Sequence, residues 1–97
     1  MHVGSLRVRL FLRQSRTLKD KRQVVRSILD KLRASFLVAA TEVDAQDDHQ
    51  VAVLGISAVG DEAQAVKTTL EKVANALRGH PVAEFVLAES VVDSPVF

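Results

Sequence analysis

The sequence contains no cysteine, no tryptophan and no tyrosine, and its aromatic side chains are four phenylalanines. Without cysteine there is no disulfide, no thiolate metal site and no cysteine nucleophile, and composition leaves the redox compartment open. With so few rings, a surface that stacks single-stranded bases is short of platforms. Glycine is scarce too: Gly4, Gly55, Gly60 and Gly79 stand apart and form no phosphate-cradling loop. Ser15, Ser27, Ser57, Ser90 and Ser94 occur in no nucleophile-elbow pattern. No apolar run approaches the length of a membrane span. The amino-terminal MHVGSLRVRLFL is basic and partly apolar, but its arginines alternate with apolar residues and no small-residue cleavage site follows. It reads as a strand, and the cytoplasm is the expected location.

What is present is a chain of 97 residues, 47% hydrophobic, which is expected to form one domain over residues 1–97. A domain of this size buries roughly 60 to 65% of its unfolded surface, which leaves room for assembly to contribute. The net charge of +1 conceals a division. Residues 1–33 hold ten Lys or Arg against Asp20 and Asp30, and residues 34–97 hold three against ten acids. Such polarity suits an anionic partner, or attraction between two regions or two subunits.

The strongest periodicity lies in TLKDKRQVVRSILDKLR, Thr17 to Arg33. At 100° per residue Leu18, Val25, Ile28, Leu29 and Leu32 share an arc, and Lys19, Arg22, Arg26 and Arg33 share the arc beside it. Thr17 is the expected N-cap with Asp20 as its capping-box partner. Lys21 falls within the apolar arc, where it is expected to snorkel past the sheet edge. Before this helix, residues 3–13 alternate, with Leu6, Val8, Leu10 and Leu12 on one side and Arg7, Arg9, Phe11 and Arg13 on the other, as in a half-covered strand. After it, Phe36 to Val43 reads as a second strand with a bulge near Thr41 and Glu42, Asp44 to Gln50 as a hairpin connection, and Val51 to Val59 as a third strand. Gly60 and Asp61 open a second helix with Ala63, Val66, Leu70, Val73, Ala74 and Leu77 inward, and Gly79-His80-Pro81 ends it. Val82 to Val91 is a last strand, and residues 91–97 form a short tail with an apolar end. The order β-α-β-β-α-β predicts an α+β ferredoxin-like sandwich, a four-stranded antiparallel sheet in the order 4-1-3-2 with two helices on one face.

Ser15 to Arg22 with Val24-Val25, Phe36 to Val43 ending in TEV, Gln46-Asp47, and Gln50 with Ala52, Leu54 and Gly55 together resemble the YlxP-like family of small bacterial proteins, the domain of unknown function 503. The resemblance covers essentially the whole chain and implies a ferredoxin-like fold. Genes of that family often lie beside those for transcription termination and translation initiation factors, which implies a role near RNA or the ribosome. The chain departs from the family at Val51, where a basic residue is frequent, at Leu37, where asparagine is frequent, and at His49, where an aromatic is frequent. Two of these changes remove polar groups, which favours an apolar subunit contact over an anion contact at the third strand.

Two surfaces emerge as candidates. For nucleic acid the residues are Lys19, Arg22, Arg26 and Arg33 on the helix, with Arg7, Arg9 and Arg13 from the first strand. The two sets belong to opposite sides of the sheet, and Asp30 is placed to neutralise Arg26. A solvated or ion-paired helix face is the competing reading. Base stacking would rest on Phe11 alone, so structured RNA or a ribonucleoprotein held through phosphates is the expected partner. For self-assembly, expected to be a homodimer, the residues are Phe11, Leu37, Val51, Val53 and Val59, with Arg7 or Arg9 paired to Glu42 or a hairpin acid. Asp44, Asp47, Asp48 and His49 concentrate acids beside a histidine, and turn chemistry is the expected use of that cluster, with a small ligand near Asp47 and His49 as the alternative. His2 and His80 have no companion at metal-ligand spacing. No catalytic residue, metal or cofactor is called for.

Overall fold

The structure is a computed structural model that describes residues 1–92. Its elements run β1 (His2–Phe11), α1 (Leu18–Ser35), β2 (Ala39–Asp44), β3 (Val51–Gly60), α2 (Ala63–Arg78) and β4 (Glu84–Val92). The strands form one sheet in the order β2-β3-β1-β4, antiparallel at every pairing, which is the expected order read from the other edge. Of the expected tail, Val91 and Val92 belong to β4, and residues 93–97 lie outside the described residues.

Alternation in β1 and β3 builds the core. Leu6, Val8 and Leu10 from β1 and Ala52, Leu54, Ile56 and Ala58 from β3 are buried with Val25, Ile28, Leu29 and Leu32 of α1 and Val66, Leu70, Val73, Ala74 and Leu77 of α2. Both helices therefore cover one face of the sheet and leave the other open. Gly4 lies where α2 packs tightly on β1, since a Cβ there would fall 2.5 Å from Val66 Cγ1 and 2.8 Å from Leu70 Cδ1. A larger residue at Gly4 would push α2 off β1.

Local chemistry sets the ends of α1. Thr17 Oγ1 accepts the Asp20 backbone N–H at 3.1 Å, and the Asp20 carboxylate accepts the backbone N–H of Arg16 at 3.0 Å. The shorter aspartate thus closes the cap one residue upstream of the usual glutamate target. At the other end the Phe36 N–H still bonds the Leu32 carbonyl at 2.9 Å, so the chain leaves helical pairing late and β2 begins at Ala39, not at Phe36. Leu37 falls in the connection, 96% exposed.

The bulge in β2 sits one residue beyond its expected place. Glu42 pairs with Leu54 and Asp44 with Val53, leaving Val43 as the extra residue. Because Val43 adds a step without a partner, Asp44 turns onto the open face beside Arg7. A second bulge in β4 leaves Val86 unpaired between Phe85 and Leu87.

His80 closes the α2–β4 turn as an acceptor. Its Nδ1 takes the backbone N–H groups of Val82 at 3.2 Å and Ala83 at 3.0 Å, an arrangement open to the neutral ring alone. Burial, with Lys31 as a smaller contribution, holds the His80 pKa below its ordinary 6.5. The unfolded chain therefore binds this proton more readily, so the contribution of His80 to stability is complete above about pH 6.5 and is lost as pH falls through the folded value. Amide exchange, corrected for intrinsic rate, is expected to show protection at Ala83 falling as the pH drops below 6.5. His80→Ala should show low protection throughout, and a flat wild-type profile between pH 7.5 and 5 would refute the assignment.

Candidate nucleic-acid interface

Lys21 is the side chain that decides how α1 and the β2–β3 hairpin meet. It is 1% exposed, turned inward where the sequence suggested a cation reaching past the sheet edge. Its Nζ donates to the carbonyls of Ala45 at 2.7 Å, Val51 at 3.0 Å and Gln46 at 3.3 Å. Glu42 Oε2 lies 2.9 Å from the same nitrogen. An ammonium has three N–H donors, and the three carbonyls take them, so the carboxylate contributes mainly as a charge. The physical reason for the inward turn is the hairpin connection, which folds over the first turns of α1 and offers carbonyls where water would otherwise stand. A buried lysine is tolerated on those terms.

The hairpin is shaped to receive it. Ala45 adopts φ 57, a left-handed conformation uncommon for alanine, and its carbonyl accepts both Lys21 and the Asp48 N–H at 3.0 Å. Asp44 Oδ1 accepts the Ala45 N–H at 2.7 Å and Asp48 Oδ1 accepts the Gln50 N–H at 2.9 Å. Those backbone donors come first among the causes that lower both aspartate pKa values, followed for Asp44 by its bond to Arg7. Gln50 extends the network to the end of β1, its Nε2 donating to the Arg13 carbonyl at 3.2 Å and its carbonyl accepting the Leu12 N–H at 2.7 Å. Asp44 and Asp48 thus serve the turn. Among the described residues no three His, Asp or Glu side chains converge as a metal site, and no helix is long and apolar enough to cross a membrane.

The cations expected on one helix face divide. Lys19, Arg22 and Arg26 are exposed, and among the described residues none of them has an ion-pair partner. Asp30 turns to Arg33, 3.6 Å away at i+3, and not to Arg26. Arg33 also donates to the carbonyl of Ala40, on the outer edge of β2. The strand arginines lie across the sheet. Arg7 pairs with Asp44 at 2.9 Å, and Arg13 pairs with Glu84 at 3.2 Å and rests over the Phe11 ring. Glu42, set aside for a strand arginine in one reading of the sequence, belongs to Lys21 instead. The seven candidate cations therefore form two groups on opposite faces.

The open face differs from its expected composition. Val53 is 3% exposed, and Phe11 and Val51 are half-buried within the chain itself. Val53 lines a small depression with Arg7, Arg9, Leu87 and Glu89. Leu37 precedes the sheet, so of the five residues read as a self-contact only Val59 stands exposed on this face. Val43, Leu87 and Val91 join it as exposed aliphatics. The signal for two of them was in the sequence, because Leu87, Glu89 and Val91 alternate along β4. Val43 follows from plain alternation after Ala40, and the bulge decides Asp44 instead.

An open-faced antiparallel sheet in the order β2-β3-β1-β4, backed by two helices on one face, defines a ferredoxin-like α+β domain. The chain belongs to the family described as Protein of unknown function (DUF503), which it matches over residues 3–90. No curated protein matches it. Among solved structures it is similar to a de novo designed protein with a ferredoxin fold, at 16% identity and a TM-score of 0.53, covering 100% of this chain and 89% of that one. That likeness concerns the fold.

Lys21→Met leaves a buried carboxylate and three carbonyls without their cation, and is expected to cost about 3–5 kcal/mol in urea denaturation. Glu42→Gln keeps the carbonyl bonds and should cost roughly 1 kcal/mol. Lys21→Met with Glu42→Leu should not restore wild-type stability, because the carbonyls remain unpaired. A Lys21→Met midpoint close to that of the wild type would contradict this account.

Proposed function

We propose that this protein is a non-catalytic cytoplasmic domain that holds structured RNA, free or within a ribonucleoprotein, by phosphate contacts along the outer face of α1. The observation that carries this reading is the set Lys19, Arg22 and Arg26, exposed on one arc of a capped helix and without counter-ions among the described residues. From Lys19 to Arg26 the helix rises about 10 Å. That span matches about three base-pair steps at 3.4 Å per strand, so three cations can follow one backbone. The core face of the same helix is locked against the sheet, and Lys21 anchors its first turns, so the backbone that carries the cations is already ordered and only their side chains are fixed on binding.

Phosphate contact suits this chain better than base reading. Phe11 is the aromatic ring of the open sheet face, it is half-buried, and Arg13 already rests on it. Arg7 and Arg13 are neutralised within the chain and point away from α1. Affinity built on phosphates falls with salt, by about 0.9 in the log–log slope for each contact on a duplex.

Replacing Lys19, Arg22 and Arg26 together by Gln is expected to weaken binding to a structured RNA at least tenfold at low salt and to reduce the salt slope by about 2 to 3. Circular dichroism should be unchanged, since all three are exposed. Arg13→Gln, on the other side of the sheet, should leave RNA affinity within twofold. Wild-type protein that fails to shift structured RNA at low salt, or a triple variant that binds like the wild type, would overturn the reading.

A further inference from the structure

We infer that the open face of the sheet docks a second copy of this chain, with Arg9 of one copy paired to Glu89 of the other about a two-fold axis. The inference begins with exposure. Val43, Leu87, Val91 and Val59 stand 44%, 53%, 58% and 66% exposed on the face that neither helix covers. They come from three of the four strands, so the apolar surface spreads across the sheet. Between Val43 and Val91 the face dips into a trough floored by small residues, Ser5, Gly55, Ser57 and Ala39. Ridges of branched aliphatics beside a floor of small side chains can interdigitate with their own copy.

Charge selects the occupant. Along β1, Arg7 stands opposite Glu89 of β4, and Arg9 opposite Leu87. Arg7 does not use Glu89, because the Val43 bulge brings Asp44 within 2.9 Å of it. The face is left with one cation, Arg9, and one anion, Glu89, neither of which has an ion-pair partner among the described residues. A two-fold axis exchanges the two copies, so each Arg9 can meet the other copy's Glu89 and each patch is its own complement. A polyanion would find this face without net uncommitted charge, and the α1 cations on the far side of the sheet remain free in the dimer.

Sedimentation of the full chain from about 1 to 500 µM at physiological salt is expected to show a reversible monomer–dimer equilibrium. Leu87→Asp should weaken it at least tenfold. Arg9→Glu and Glu89→Arg should each weaken it at least tenfold, and the double exchange should return the dissociation constant to within about threefold of wild type. The charge variants sit at exposed positions and are read only where the urea midpoint is unchanged, so folding and docking are separated. The Lys19, Arg22 and Arg26 triple variant should dimerise like the wild type. A chain that stays monomeric at 500 µM, a dimer indifferent to Leu87→Asp, or a double exchange that recovers nothing would each overturn the inference.

Discussion

The ammonium of Lys21, closed in by the carbonyls of Ala45, Gln46 and Val51 and faced by the Glu42 carboxylate, is the contact on which the arrangement of this domain depends. It joins the first turns of α1 to the β2–β3 connection, elements 24 to 30 residues apart in the chain. Hydrophobic burial would place a helix on the sheet, but it is non-directional and would tolerate sliding. A cation whose donors are all taken by fixed carbonyls tolerates little. The position of the hairpin then follows, with Ala45 held left-handed and Gln50 reaching back to the end of β1.

This contact changes the meaning of the segment that identifies the family. Lys21 is the second lysine of LKDKR, and Gln46 and Gln50 belong to the hairpin segments that carry the resemblance. In the structure these residues build the junction of helix, hairpin and first strand. A cationic motif on a helix looks like a binding motif until one of its cations is found inside. Lys19 and Arg22, its neighbours in sequence, point outward and carry the functional reading.

Charge is also managed at the sheet. The excess of cations in the first third of the chain is divided by the sheet itself, with the α1 set on one side and the β1 set on the other. Of Arg7 and Arg9 on β1 and Arg13 just beyond it, two are neutralised by acids from β2 and β4, the strands at the two edges. Arg33 covers the outward carbonyl of Ala40, which blunts the free edge of β2 as a template for strand addition. Among the cations without such duties, Lys19, Arg22 and Arg26 on α1 and Arg9 on the open face are the ones assigned to partners.

The sequence by itself determined the element types, their order and the buried stripes of β1, α1, β3 and α2, because alternation, helical periodicity and capping are local; the sheet order followed from the β-α-β-β-α-β succession by analogy with the ferredoxin-like sandwich. It also showed that α1 and β1 arginines belong to opposite faces. Only the tertiary structure decided which charges are spent inside the chain. Whether Lys21 snorkels or turns inward depends on carbonyls from a hairpin far along the chain, and whether Asp44 meets Arg7 depends on a bulge that the parity of Phe36 to Val43 located only to within a residue. The fate of Leu37 turned on one hydrogen bond, Phe36 to Leu32, that prolonged helical pairing past the apparent start of a strand. Periodicity says which side of an element is apolar; which polar groups remain free on the other side is a property of the neighbours that folding brings to it.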